Sequence, residues 1–472
     1  MKQLETDYLV IGTGAMGMAF VDTMLDETDA SFIMVDRHHL PGGHWNDAYS
    51  FVRLHQPSAF YGVASSELGS MSIDRAGSNR GLYELAGGPE VIAYFERVMR
   101  ERFLASGRVQ YFPMCDYVGD GQFRSMLSDS TFNVSVQRKT VDTTFYRTSV
   151  PSTHTRKFKV DEDIVCVPPN RLPRQASAHE SFVILGAGKT AMDACVWLLD
   201  AGADPDRITW VVPRDSWLMN RHTVQPGTAF FEQTVGGFNR QLEAMIDATS
   251  INDVFIRLEQ AGFLLRVDRN VWPEMFHYAT ISEGEVEQLQ RIGNVIRQGR
   301  VAKVSANGLV MEDGGSVATQ AEALYVDCTA TAVKFTGKKS QPVFSDDHIT
   351  LQAVLAPLVT TSAAIIAFVE ANFEDDSTKN QLCTPIDLSD TPTGWLPAFL
   401  KNMRNQVIWT QNGKVRNWLA DCRLSPTRRM PDDAEHLSPS MGAVKQKIDA
   451  NVEPALQNLH RLIQSVDPTD LR

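Results

Sequence analysis

Two stretches of the chain break from the mixed apolar and polar background in the same way. Tyr8 to Ile11 is an unbroken apolar run rich in β-branched residues, as expected of a strand buried on both faces of a parallel sheet. Gly12, Gly14 and Gly17 follow, and Met18, Val21 and Leu25 then recur at helical period. Ser31 to Val35 reads as the next strand and ends in Asp36. The second stretch repeats the grammar. Ser181 to Leu185 is a strand, Gly186-Ala-Gly188-Lys189-Thr190-Ala191 its turn, and Met192, Cys195, Val196 and Leu199 the following helix. Ile208 to Val212 is then a strand, closed by Pro213 and Arg214.

Between these landmarks, residues 89–105 place Val91, Ile92, Phe95, Val98, Met99 and Phe103 on one helical face, with Pro89 at the start and Gly107 past the end. Val109 to Phe112 is a short strand. From 117 to 166, segments such as Thr131–Val136 and Asp163–Cys166 alternate with turn residues, which predicts a β-meander. Pro168, Pro169 and Pro173 mark a linker. Trp217 to Met275 is aromatic and mostly helical, either a wall of a substrate pocket or an insertion with its own small core. Strands are expected at 300–305, 308–311 and 323–327, the last ending in Asp327-Cys-Thr-Ala330.

The pattern predicts an α/β protein with two Rossmann-like dinucleotide-binding domains, a β-meander and a helical C-terminal cap. Residues 1–175 and 325–390 would form the first domain. Residues 176–324 would form the second, with a helical insertion at about 217–295. Residues 391–472 would be the cap.

The glycines carry the candidate chemistry. Gly12 permits the tight turn, Gly14 lets the backbone approach a pyrophosphate, and Gly17 lets the helix pack close on the strand. The phosphates would meet the free N–H groups and positive dipole of the helix N-terminus. Asp36 lies 24 residues beyond Gly12, where a carboxylate can accept hydrogen bonds from ribose hydroxyls. In the second turn Ala191 replaces the third glycine, which the fingerprint tolerates, and Gly186, Gly188, Lys189 and Thr190 are the cofactor-binding candidates. Arg214 stands where an NAD site carries a carboxylate. It is either a bidentate partner of a 2′-phosphate, favouring NADP, or a surface arginine closing a strand.

Composition narrows the function classes. A net charge of −12 argues against nucleic acid or an anionic membrane as partner. Six cysteines without a close pair speak for a reducing, cytoplasmic compartment and against a dithiol centre or a zinc cluster. The first strand begins almost at Met1, leaving no room for a signal peptide. The apolar window 351–371 is interrupted by Pro357 and Thr360-Thr-Ser362 and reads as buried helix, not as a membrane span. His222 and His277 have no second ligand at metal-binding spacing, so no metal is assigned.

Four motifs then stand in a specific order: the first glycine triplet, Asp36, Gly42-Gly43-His44-Trp45, and Arg53-Leu-His55-Gln56-Pro57. In this order they resemble the flavin-containing monooxygenases over roughly the first 60 residues, nearest the plant auxin-synthesising and microbial N-hydroxylating branches. The resemblance implies that Gly12, Gly14, Gly17, Asp36, Gly43 and Trp45 contact FAD. Arg37, His44 and Arg53 are further cofactor-binding candidates, and His55 and Gln56 would lie at the flavin edge. It further implies hydride transfer from NADPH to FAD and activation of O₂ as a C4a-peroxyflavin, acting on a small-molecule substrate. His55 and Gln56 would be the catalytic hydrogen-bond donors. The segment from Pro168 to His179 lacks the family's F-x-G-x-x-x-H linker. That departure keeps open an NAD(P)H-dependent flavoprotein reductase without oxygen insertion, or a flavin-binding regulatory protein. Disulfide reductases share the architecture, but the redox cysteine pair is missing.

Overall fold

The computed structural model describes residues 2–320, 322–331, 339–426 and 439–466. Its first unit is built on a seven-stranded sheet. Strands β1 (Lys2–Ile11), β2 (Phe32–Val35) and β3 (Val109–Phe112) run parallel, and β6 (Thr131–Asp142) lies on the other side of β1, also parallel. Helix α1 (Ala15–Glu27) connects β1 to β2 and is buried along most of its length. Its Asp22, wholly buried, is held by Arg102 at 2.6 Å and Ser65 at 2.5 Å. This ties α1 to the segment after helix α2 (Gly88–Val98).

The predicted meander is only half present. β4 (Cys115–Gly119), β5 (Gln122–Ser125) and the first half of β6 form antiparallel hairpins. The chain beyond β6 leaves this sheet. Asp161 turns it back on itself, with Ile164 N–H bonded to the Asp161 carbonyl at 3.1 Å. Two two-residue strands follow β6, Lys159–Val160 and β8 (Cys166–Val167), and each joins a different sheet, β8 pairing parallel with β18 (Leu324–Asp327). The alternation around 163–166 came from a turn beside an edge strand, which period-two counting cannot separate from a meander.

The second sheet is wholly parallel, ordered β14 (Asn294–Ile296), β10 (Ile208–Val211), β9 (Phe182–Leu185), β18, β8. Pro169 and Pro173 start short helical turns, Pro173 at the beginning of α3 (Leu172–Gln175), where their fixed φ is an asset. Helix α4 (Lys189–Asp200) follows β9 and packs near α7 (Glu283–Leu289). A small sheet of β7 (Lys159–Val160), β15 (Val301–Ser305), β16 (Gly308–Met311) and β17 (Ser316–Val317) lies over the same core.

The expected helical insertion also contains a sheet. β11 (Ser216–Asn220) pairs with β12 (Leu264–Leu265) and β13 (Met275–Ile281), and helices α5 (Phe231–Asp247) and α6 (Ile251–Gln260) cover Trp217. After β18 the chain returns to the first sheet as β19 (His348–Thr350), parallel to the second half of β6. Helix α8 (Val359–Asn372) then packs on α1. No helix among the described residues is long and apolar enough to cross a membrane.

Helices α9 (Asp376–Leu382), α10 (Pro392–Gln411), α11 (Gly413–Asp421) and α12 (Pro439–Gln464) follow. α12 packs on α5, while Arg423 reaches the first unit and donates to the carbonyls of Ala59, Tyr61 and Val63 at 2.6–2.9 Å. Of the expected cap, residues 427–438 and 467–472 lie outside the described residues.

Candidate functional site

Both glycine turns are built on backbone approaches that a side chain would forbid. Gly12 has φ +100°, and a Cβ there would run into Thr143 Oγ1. A Cβ on Gly17 would collide with the Gly12 carbonyl, so α1 can lie hard against the turn only without one. Gly43, φ +58°, faces Gly14 across a narrow gap: its Cβ would lie 2.9 Å from Gly14 Cα. In the second turn Gly186, φ +127°, would put a Cβ 2.7 Å from the Cys328 carbonyl oxygen. Gly188 opens on free space, with nothing within 4 Å of its would-be Cβ.

The two turns share a partner that the sequence half concealed. β6 and β18 end in the same corner. Asp142 Oδ1 accepts from Thr144 N–H and Oγ1, each at 2.7 Å, and Asp327 Oδ1 accepts from Thr329 N–H at 3.1 Å and Oγ1 at 2.7 Å. The residue between, Thr143 or Cys328, closes over the first glycine of its turn. The second corner was visible in Asp327-Cys-Thr. The first was lost in the supposed meander, although Asp-x-Thr at a strand end was its signal.

α1 and α4 both begin at a glycine N-cap with no side-chain acceptor, as α2 does at Gly87. α3, α5 and α8 also lack a side-chain cap, whereas Ser250, Ser282, Asp375, Thr391 and Asn412 cap α6, α7, α9, α10 and α11. What sets α1 and α4 apart is that each follows a parallel strand through a glycine turn. Their first-turn N–H groups therefore have no side-chain acceptor. A pyrophosphate fits this donor set at each helix.

Asp36 lies beside the first glycine turn. Its Oδ2 accepts Thr13 N–H at 2.5 Å and Oγ1 at 2.8 Å, and its Oδ1 accepts His38 N–H at 2.8 Å and meets Nδ1 at 3.0 Å. These four contacts engage both oxygens of the carboxylate expected to accept from ribose, and through Thr13 they brace the glycine turn. Burial would raise its pKa, but His38 and Thr13 outweigh that and hold it low. His38 Nε2 meets Asp47 at 2.8 Å. Sharing two carboxylates, chiefly Asp36, pushes the imidazole up to about 9.

Of the neighbouring candidates, His44 stacks on Trp45 and is pushed down to about 4 by burial and then by His38. Trp45 Nε1 donates to Tyr61 Oη at 2.7 Å. Arg37 is 71% exposed and meets Asp116 at 3.4 Å. It borders an open depression of about 730 Å³ whose lining includes no residue of either glycine turn. Arg53 donates to the Leu85 carbonyl at 3.1 Å and approaches Asp74, clamping a loop of its own unit.

His55 and Gln56 are half-buried, and neither side chain bonds another described residue. Burial, then the Lys189 charge, pushes the His55 imidazole down to about 4, so it is neutral at physiological pH. His55 thus belongs electrostatically to the second glycine turn although it comes from the first unit.

Lys189, a cofactor-binding candidate of the second turn, is paired with carboxylates. Its ammonium is buried against Asp193 and against Glu285 at 2.9 Å. Asp193 also accepts from Tyr49 Oη at 2.6 Å, and Thr190 hydrogen-bonds the same phenol. Glu285 meets Arg221 Nη1 at 2.7 Å. Burial would raise the Glu285 carboxyl, but Lys189 and Arg221 hold it well below the usual range. Arg221 went unnoticed in the sequence because nothing local marks an arginine whose partners lie 60 and more residues away. Arg214 lies exposed past β10 and makes no ion pair among the described residues.

No family model matches the chain. It is 47% identical over 424 residues to a protein of Mycobacterium tuberculosis described as Uncharacterized protein Rv2000, covering 90% of this chain and 78% of that one. A protein of Mycobacterium bovis, Uncharacterized protein Mb2023, matches to the same extent. The chain belongs to the family of these mycobacterial proteins. Among solved structures, this family member is similar to cyclohexanone monooxygenase from Rhodococcus sp. Phi1 bound to NADP+, at 12% identity and TM-score 0.47, over 79% of this chain and 84% of that one. It is also similar to the polycyclic ketone monooxygenase of Thermothelomyces thermophila, at 10% identity and TM-score 0.47, over 97% and 90%. The chemistry of the family's site rests on its own residues.

The His38 bridge has a pH signature. Its folded pKa of about 9 lies above the ordinary 6.5. The stability it contributes is therefore complete below about 6.5 and lost as pH rises through about 9. Between those limits the melting temperature of the unaltered protein should fall more steeply than that of His38→Gln. Parallel curves would show that the imidazole is not charged in the folded state.

Proposed function

We propose that the protein is an FAD- and NADPH-dependent monooxygenase. The observation that carries this is the pair of open helix N-termini at Gly14 and Gly188, each behind a glycine turn, with the His55 segment beside the second. Two anion-binding helix ends in one chain call for two nucleotides. On this reading residues 1–175 and 325–390 hold FAD, 176–324 hold NADPH, and 391–472 covers both. The six cysteines, all unpaired, suit a reducing cytoplasmic compartment.

FAD, when bound, supplies acceptance of hydride from NADPH and the reaction with O₂ that a small-molecule substrate consumes. The chain supplies the rest. The α1 N-terminus with Gly14 and Gly43 would hold one pyrophosphate, and the α4 N-terminus with Gly188 the other. Arg214, exposed and without an ion pair among the described residues, offers a planar fork to a 2′-phosphate. Gly12, Gly17 and Gly186 shape the turns. Neutral His55 carries one N–H donor and one acceptor, and with Gln56 it can hold a proton at the flavin edge without adding charge. Trp45, pinned by Tyr61, gives that edge an apolar wall that keeps water off.

The purified protein should be yellow and release FAD. A Cβ at position 14 meets nothing nearer than Gly43 Cα at 3.8 Å. Gly14→Val should therefore keep its melting behaviour and lose its flavin, and normal flavin content in that variant would count decisively against the site. Arg214→Ala should raise KM for NADPH by roughly 10- to 100-fold, the worth of a charge-assisted bidentate contact, and leave NADH nearly unchanged. Equal use of both coenzymes by the unaltered protein would remove the phosphate role.

Oxygen chemistry is tested by mixing reduced protein with O₂ and following hydrogen peroxide. The unaltered protein should delay its release, and His55→Ala, losing a donor worth about 3–4 kcal/mol at most, should release it at once with unchanged flavin content. Immediate release by the unaltered protein would instead select a reductase.

A further inference from the structure

Arg221 is 1% exposed, yet it sits between segments from both units. Its Nε donates to the His55 carbonyl at 2.7 Å, its Nη1 to Asn79 Oδ1 at 2.9 Å, and its Nη2 to the Thr280 carbonyl at 3.4 Å. Glu285 binds Nη1 from behind and passes its other oxygen to Lys189, the first residue of α4. Lys189 in turn holds Asp193, which takes the Tyr49 hydroxyl. Phe51, two residues on, stacks on Trp197 of α4 with ring centroids 5.3 Å apart. The chain of contacts thus runs from the segment 49–55 of the first unit, through four buried charges of zero net sum, to the start of α4.

We propose that Arg221 is a positioning residue that, through Glu285 and Lys189, locks the His55 segment against the second glycine turn. The fork is what the site requires. Three guanidinium nitrogens reach two carbonyls and two side-chain oxygens from three stretches of chain, around residues 55, 79 and 280–285, which an ammonium cannot do from one point. Because the network is buried, a missing partner leaves an unpaired charge and both flanking segments lose their anchor together. The consequence for catalysis rests on the reading given under Proposed function. The distance between the two bound nucleotides would depend on the lock, while the affinity for each would depend on its own glycine turn.

The test uses the full-length protein and two variants, Arg221→Lys and Tyr49→Phe. Hydrogen exchange of residues 49–56 and 186–195 is measured together with flavin content, KM for NADPH and the rate of flavin reduction. Arg221→Lys should speed exchange in both segments together and retain flavin. It should slow reduction by roughly 100-fold, the effect of a misplacement of about 1 Å, with KM nearly unchanged. Faster exchange with an unaltered reduction rate would make Arg221 a structural residue only and overturn the proposal. Unaltered exchange would overturn it outright. Should Arg221→Lys fail to fold, Tyr49→Phe, which keeps the ring against Phe51 and removes one hydroxyl, is read by the same criteria with a smaller change expected. Absence of flavin from the unaltered protein would defeat the cofactor reading alone, and the exchange measurement would then decide the lock by itself.

Discussion

The structure depends on how closely the chain can approach itself at the ends of two parallel strands. At β1 the incoming corner after β6 lies on Gly12, and at β9 the corner after β18 lies on Gly186. Neither contact tolerates a Cβ. Because these corners are braced by aspartates that hold their own Thr two residues on, the close approach does not need a ligand to maintain it. The helices that follow can then begin without side-chain caps, and two donor-rich helix ends remain open. Everything inferred about nucleotide binding follows from that steric condition.

The charged groups around these turns are mostly turned inward. Asp36, Lys189, Asp193, Glu285 and Arg221 are buried and paired, whereas Arg214 is exposed. Buried pairs contribute little net stability when complete and cost several kcal/mol when broken. Their value here is definition of geometry. They fix which loop meets which helix, and so where the half-buried His55 sits relative to the second turn.

Much of this was legible in the sequence, and the failures have physical causes. Apolar runs followed by glycines announced both strand–turn–helix units, because a buried parallel strand and a close helix contact each leave a local composition. The ends of β2, β10 and β18 fell within a residue of expectation for the same reason. Asp36 and Lys189 were singled out as cofactor-binding candidates, and each has protein partners that the sequence did not announce. The residues that occupy them, His38 and Glu285, carry no mark of it in one dimension. Arg221 was invisible because its partners are contributed by residues 55, 79, 280 and 285. The meander failed because two-residue strands such as β8 take their identity from the sheet they join.

Arg423 gives the architecture a practical boundary. Its guanidinium holds the carbonyls of Ala59, Tyr61 and Val63, only a few residues beyond His55, while α12 lies on α5 in the other unit. The C-terminal region is therefore not an appendage to be trimmed for expression. A gene shortened before residue 391 would take the Arg423 donor from these three carbonyls, two of them in buried residues, and bare an apolar helix face elsewhere. Its product would be expected to go to the proteolytic machinery before it ever met a cofactor.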